Sequence, residues 1–258
     1  MLKFTKMHGI GNDYIYMDGI SQQVPTDPKW IEKISDRHFG IGSDGLIIIL
    51  PSTVADFKMR IFNADGSEAK MCGNGIRCFA KFCVDHHLTN KKVLKIETLS
   101  GIREVTLIDS DEASCAMGVP VIGQKLTVHV DEQAYRCYEV SMGNPHAVLY
   151  VDDLDLDVDY LGEQISKQVR DDGVNVEFVQ ILSPDHIAIR VFERGSRETL
   201  ACGTGACAAF AKSHQLGLVK DQVTVTLPGG DLQINFNNAE VIMQGPATTV
   251  YDGLIEEE

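Results

Sequence analysis

Short runs of alternating or β-branched apolar residues recur from one end of the chain to the other, including YIYM (14–17), LIIIL (46–50), FKMRIF (57–62), VEFVQIL (176–182), IAIRVF (187–192) and VTVTL (223–227). A two-residue period of this kind is what a half-buried strand requires, so strands are expected to dominate. Four stretches carry helical spacing instead: 27–40, with Asp27 as cap and Pro28 in the first turn, the run after Cys72, 158–173, and the run after Cys202 that stops at Gly217. The mixture predicts an α/β (α+β) fold. Between the strand runs, IDSDEASC (108–115) breaks the alternation and reads as a boundary.

The pattern also repeats. Cys72-Gly73-Asn74-Gly75 stands 130 positions before Cys202-Gly203-Thr204-Gly205, and at the same spacing Phe62 matches Phe192 and Glu68 matches Glu198. Upstream, Gly11-Asn12 matches Gly143-Asn144 at 132; downstream, IETLSG (96–101) matches VTLPGG (225–230) at 129. Colinear matches at one period, close to half the chain, point to duplication rather than to chance among 23 glycines. Two similar lobes are expected, 1–116 carrying Cys72 and 117–248 carrying Cys202, with the terminal strand 249–258 rejoining the first lobe. The helix after Cys202, ACAAFA, has almost no polar face, so it is expected inside a barrel-like wrap of strands.

Each repeated thiol precedes a Gly-x-Gly that opens a helix. A helix N-terminus presents unpaired N–H groups and the positive end of the dipole, so it stabilises a thiolate and also cradles a carboxylate. Two such corners facing one another across a pseudo-two-fold axis would hold a carboxylate with one sulfur on each side of the adjacent carbon. That geometry suits inversion: one thiolate takes the α-proton while the opposite thiol returns another to the reverse face. Thiol suits both roles because its ordinary pKa, about 8.5, lies near neutral pH.

Composition narrows the alternatives. With 258 residues, 44% of them hydrophobic, the chain can bury one large or two modest cores. Lys and Arg number 23 against 37 Asp and Glu, and the resulting net charge of -14 disfavours nucleic acid and anionic membrane surfaces. No long apolar run and no signal-peptide core is visible, and the seven cysteines are an odd number, so a cytoplasmic protein with reduced thiols is expected. Cys78, Cys83, Cys115, Cys137 and Cys207 read as packing residues. The spacing of CFAKFCVDHH (78–87) is unlike common zinc patterns, so no metal is expected, and the acidic tail after Ile255 reads as solvated.

Over nearly its whole length the chain resembles the diaminopimelate epimerase family, the pyridoxal-independent epimerases of lysine and peptidoglycan precursor synthesis. The matching stretches are FTKMHGIGNDY (4–14), RIFNADGSEAKMCGNGIRCFAKF (60–82), SMGNPHAV (141–148), ERGSRETLACGTGACA (193–208) and LPGG (227–230). The resemblance implies two pseudo-symmetric lobes, each a β-barrel-like sheet around a central helix. It implies that Cys72 and Cys202 are the acid–base pair, tuned by His146 and Glu193. By the same resemblance Gly73, Asn74, Gly203 and Thr204 serve the carboxylate at the reacting centre, and Asn12, Asn63, Asn144, Asn175, Glu193 and Arg194 hold the rest of a small amino acid substrate. It implies no cofactor, and a homodimer as the possible assembly.

Two positions depart from the family pattern: Gly45, where some relatives carry Gln, and Ser196-Arg197, where many carry small residues. An altered pocket of that kind leaves lanthionine or histidine as alternative substrates for the same chemistry. From other classes, thiol–disulfide exchange lacks its Cys-x-x-Cys, and an amino acid binding module without catalysis leaves the twin thiols unexplained.

Overall fold

The computed structural model describes residues 1–256 and divides into two compact units, one made of Met1–Cys115 with the chain from Gly245 onward, the other of Ala116–Gln244. The acidic tail expected at Glu257 and Glu258 lies outside the described residues.

In the first unit the order is β1 (Leu2–Gly9), β2 (Asn12–Asp18), α1 (Pro28–Ser35), β3 (Gly45–Leu50), β4 (Phe57–Asn63), β5 (Glu68–Ala69), α2 (Gly73–Asp85), β6 (Val93–Thr98), β7 (Gly101–Leu107) and β8 (Glu112–Gly118). The second unit runs β9 (Val121–Val130), β10 (Gln133–Ser141), β11 (Pro145–Tyr150), α3 (Val158–Val169), β12 (Asn175–Ser183), β13 (His186–Glu193), β14 (Arg197–Thr199), α4 (Gly203–Gln215), β15 (Gln222–Leu227), β16 (Gly230–Asn237) and β17 (Glu240–Pro246). The closing strand β18 (Thr248–Ile255) returns to pair antiparallel with β1.

The units repeat one wiring scheme. In the first, β2 and β3 are parallel across α1, β3 and β4 antiparallel, and β4 and β6 parallel across α2. In the second, β11 and β12, β12 and β13, and β13 and β15 repeat those relations around α3 and α4. Even the register is shared: Phe62 faces Glu68 and Phe192 faces Glu198. The neighbouring arginines repeat too, Arg60 clasping Glu68 and Arg190 clasping Glu198 through paired hydrogen bonds. Through this register Ile47 of β3 and Glu177 of β12 occupy equivalent positions, opposite Ile61 and Val191.

Helix α1 starts where expected, with Asp27 accepting from the Lys29 and Trp30 N–H groups and Pro28 at the first position. It buries Trp30, Ile31 and Ile34 against Leu2, Phe4, Ile15, Met17, Leu46 and Ile48. Helices α2 and α4 are buried on nearly every side, α2 against β1, β2, β3 and β7, and α4 against β10 to β13, β15 and β16. Among the described residues no helix is long and apolar enough to cross a membrane.

One reading of the pattern is corrected. The expected break is confined to 108–111, and the rest of that stretch opens β8, in which Ala113, Cys115 and Met117 point inward in strict alternation. Small residues satisfy the two-residue period without the β-branched signature. The chain therefore changes unit within a strand, between Cys115 and Ala116, rather than in a loop.

Candidate active site

Both repeated cysteines are N-cap residues. Cys72 (φ −136°, ψ 123°) precedes α2 and Cys202 (φ −113°, ψ 101°) precedes α4; each has extended backbone. In each, the sulfur accepts the N–H of the glycine three residues on, Gly75 or Gly205, at 3.4 Å. Sulfur thus takes the capping role usually filled by a serine or aspartate oxygen, and the same bond favours its anion. Gly73 and Gly203 form the first turn of each helix and are buried.

Besides accepting the Gly75 N–H, the Cys72 sulfur donates a bond of its own. Asn12 donates its Nδ2 to Asp44 Oδ2 at 2.7 Å. A carboxylate is an acceptor only, so the Asn12 carbonyl must face Cys72, whose thiol donates to Oδ1 at 3.2 Å. Asp44 is held by Arg37 (2.8 Å), which also forks onto Asp13, itself paired with Lys6 at 2.5 Å. Burial, and then the Asp13 charge, raises the Asp44 carboxyl above its usual range. Tyr14 is buried in the same corner, its hydroxyl driven well above the usual phenol range by burial and then by Cys72. The guanidinium of Arg77, fully buried one turn into α2, bonds the Gly73 carbonyl (3.2 Å) and Asn74 Oδ1 (3.0 Å). That arginine fixes the two residues following Cys72.

The Cys202 corner surrounds its sulfur with different side chains. Asn144 Nδ2 donates to Thr204 Oγ1 (3.2 Å), and the Thr204 hydroxyl lies 3.6 Å from the Cys202 sulfur. The Asn144 carbonyl lies 3.1 Å from His146 Nε2, and His146 Nδ1 lies 2.6 Å from Glu177 Oε1. Both side chains of that last pair are fully buried. Asn175 Nδ2 reaches the sulfur at 3.9 Å while its carbonyl accepts the Arg194 N–H at 3.0 Å. Burial, then the charges of Glu193 and Glu177, push the Cys202 thiol well above its ordinary value; the Thr204 and Gly205 donors oppose this. Burial also raises Glu193, against bonds from Thr199 (2.5 Å) and Cys202.

Of the residues expected from the sequence, Cys72, Asn12, Gly73 and Asn74 gather in the first corner. Cys202, Gly203, Thr204, Asn144, His146, Asn175 and Glu193 gather in the second. The Asn63 and Arg194 side chains are bonded to residues outside the two sulfur corners. The Asn63 amide closes the turn to Ser67 (3.0 Å), and the Arg194 guanidinium is tied to Asp172 (3.1 Å) and the carbonyls of Asp172 and Gly173. Arg197 adds no loose charge beside Glu193, because it pairs with Asp159 of α3. Gly45 (φ +152°) is glycine of necessity, since a Cβ there would stand 1.9 Å from the Phe62 carbonyl oxygen.

Glu177, Tyr14, Asp44 and Arg77 escaped the sequence reading. Glu177 carried the clearest signal, the one charge in the otherwise largely apolar run NVEFVQILS, where burial demands a neighbour of opposite character. Among the described residues, no three His, Cys, Asp or Glu side chains are grouped to hold a metal. His86 instead stacks on Phe82 and bonds Thr5 (2.8 Å), beside a cavity of about 460 Å³ that contains none of the sulfur-corner residues.

Comparison with known proteins gives these corners a lineage. The family model for diaminopimelate epimerase matches residues 4–123 and 138–250. The chain is 48% identical to the diaminopimelate epimerase of Methanococcus maripaludis, over 99% of its own length and 100% of that protein. It is 44% identical to that of Acetivibrio thermocellus, over 99% of each chain. Among solved structures, a hydroxyproline epimerase from Agrobacterium vitis, with bound trans-4-hydroxy-L-proline, superimposes with a TM-score of 0.78 at 16% identity, over 98% of this chain and 90% of that one. At that identity the likeness speaks for the fold alone. The two sulfur-capped helices, their repeated wiring and the near full-length identity together place the chain in the diaminopimelate epimerase family.

Proposed function

We propose that the chain interconverts LL- and meso-diaminopimelate by inverting one α-carbon with a pair of cysteines and no cofactor. The observation that carries this reading is that each unit supplies one sulfur as the N-cap of a buried helix, where it accepts the N–H of the third helical residue. Cys72 meets the Gly75 N–H, which favours its thiolate, and the Asn12 carbonyl, which favours its thiol. Cys202 meets the Gly205 N–H and the Thr204 hydroxyl, donors that oppose the burial and the Glu193 and Glu177 charges holding it as the thiol. A two-base exchange needs one sulfur ready to accept and one ready to give, each role passing to the other sulfur when the direction reverses.

In the reaction the α-carbon–hydrogen bond breaks, its proton passes to the thiolate, and the electron pair is held by the substrate carboxylate. A proton from the thiol then reaches the other face, so the chemistry is redox-neutral and the two sulfurs exchange states. The N–H groups at Gly73–Asn74 and Gly203–Thr204 suit the carboxylate, whose charge grows in the transition state. His146 and Glu193 set the charge environment of Cys202. Asn12, Asn144, Asn175, Asn63 and Arg194 would hold the remaining amino and carboxylate groups, the last two after leaving their present contacts. The chemistry fits a cytoplasmic enzyme, and a homodimer is the assembly to look for.

The test is LL-diaminopimelate incubated in deuterated buffer. Deuterium should enter the α-position as the meso form appears, and Cys72→Ala and Cys202→Ala should each lose at least about 10²-fold in rate. Inversion at the wild-type rate by Cys72→Ala would overturn the reading, as would turnover of lanthionine or histidine with none of diaminopimelate.

A further inference from the structure

We propose that Glu177 is a positioning residue for the Cys202 half-reaction: it locks His146 and, through Asn144, turns the Thr204 hydroxyl hydrogen toward the sulfur. This rests on the function proposed above.

The bond directions follow from what each group can do. The Asn144 amide nitrogen is committed to Thr204, so its carbonyl faces His146, and Nε2 of the ring must carry a hydrogen to meet it. Nδ1 faces the Glu177 carboxyl at 2.6 Å, where a single proton bridges the pair. The Thr204 oxygen already accepts from Asn144, which leaves its own hydrogen for Cys202. From His146 Nε2 to the sulfur, every donor therefore points the same way. Removing the carboxyl frees Nδ1, permits the other tautomer, and lets the Asn144 amide turn over; Thr204 would then donate to Asn144 and leave Cys202 unserved.

Packing alone does not call for an acid at this position. The equivalent residue in the first unit is Ile47, and it lies against Gly75 as Glu177 lies against Gly205. In the same comparison Tyr14 stands where His146 stands, each following an Asn by two residues. The duplicated frame thus carries an apolar residue in one half and a fully buried carboxyl in the other. Glu177 Oε2 has no hydrogen-bonding neighbour among the described residues, so its only strong contact is the imidazole. A buried charge with one partner is costly unless that partner is also charged or shares its proton. Besides His146 on β11, the ionisable groups around it are Cys202 at the start of α4 and Glu193 on β13.

Three measurements on the full chain test the assignment. Glu177→Gln keeps the shape and should lower kcat about 10- to 100-fold with KM within about twofold, the scale usual for partners that orient a functional histidine. Histidine ¹⁵N NMR should find His146 in the wild type with hydrogen on Nε2 and a bridging proton on Nδ1; Glu177→Gln should shift both nitrogens. In a Thr204→Val background, where the chain of bonds is already cut, Glu177→Gln should cost less than about threefold more. Unchanged kcat in folded Glu177→Gln, unchanged His146 resonances, or a full additional loss on top of Thr204→Val would each overturn the assignment. Failure of the function itself would look different: the wild type would not invert diaminopimelate, while the NMR arm would still report on Glu177 and His146.

Discussion

Adding one methyl group at the third residue of each capped helix should separate the two halves. An ideal Cβ on Gly75 would stand 2.7 Å from Ile47 Cδ1, while on Gly205 it would stand 2.8 Å from Glu177 Oε1 and 3.2 Å from the Cys202 sulfur. Alanine in a helix gains about 1 kcal/mol over glycine in both places. At Gly75 the obstacle is the tip of a flexible chain, and a χ adjustment costs about 0.5–1.5 kcal/mol, so Gly75→Ala should be close to neutral. At Gly205 the obstacle is a buried carboxyl held 2.6 Å from His146. Moving it weakens a charged hydrogen bond worth about 1.5–3 kcal/mol and crowds a packed interior. Gly205→Ala should therefore be about 2 kcal/mol less stable than Gly75→Ala, which at about 2–4 °C per kcal/mol is a Tm gap of about 4–8 °C. Calorimetry of both variants reads the gap, and epimerase assays should find the larger kcat loss in Gly205→Ala. Equal Tm values with equal activity would refute the idea that Glu177 is immobile.

Two further outcomes follow from the charges. Glu193 is raised above its ordinary 4.5 chiefly by burial, so the wild type has this contribution in full below that pH and loses it as pH rises through the raised value. Glu193→Gln escapes the loss: its Tm relative to wild type should climb as pH rises from 4.5 while turnover falls, and a pH-independent Tm difference would contradict the assignment. Burial lifts Cys78, Cys115 and Cys137 from 9.0 to about 11, so at pH 8 each carries roughly a hundredfold less thiolate than an ordinary thiol. Cys72 is half-buried and the other six cysteines are buried, so limiting iodoacetamide should label Cys72 first, with activity lost in proportion; peptide mass spectrometry showing earlier modification of the other six would contradict this.

The parts of this molecule that could be read from the chain are those fixed by local rules. A cysteine before Gly-x-Gly and a helical run can hardly avoid becoming a cap, and both did. The 130-residue period was legible because Phe62, Glu68, Phe192 and Glu198 keep one strand register. What stayed hidden depends on tertiary placement. Asp44 reaches Asn12 from a loop 32 residues away, and His146 meets Glu177 only because β11 and β12 pair in parallel. Asn63 and Arg194 show the converse. Their residue types suit binding, yet turn chemistry and a nearby aspartate engage their side chains, which no sequence pattern announced. Strand β8 was missed because alanine and cysteine fill a tight interior as well as valine does, without announcing it.

The return of β18 to β1 has a consequence for how the polypeptide is made. The ribosome delivers β1 well before its outer neighbour β18, which follows the second unit. At about 5–20 residues per second, the intervening stretch takes on the order of ten seconds or more to synthesise. Throughout that interval β1 has an uncovered hydrogen-bonding edge, flanked by Leu2 and Phe4, that invites pairing with a nascent neighbour. The unit that holds β1 is thus the later one to mature, and aggregation during expression should respond to chaperone supply more than to the stability of the finished enzyme.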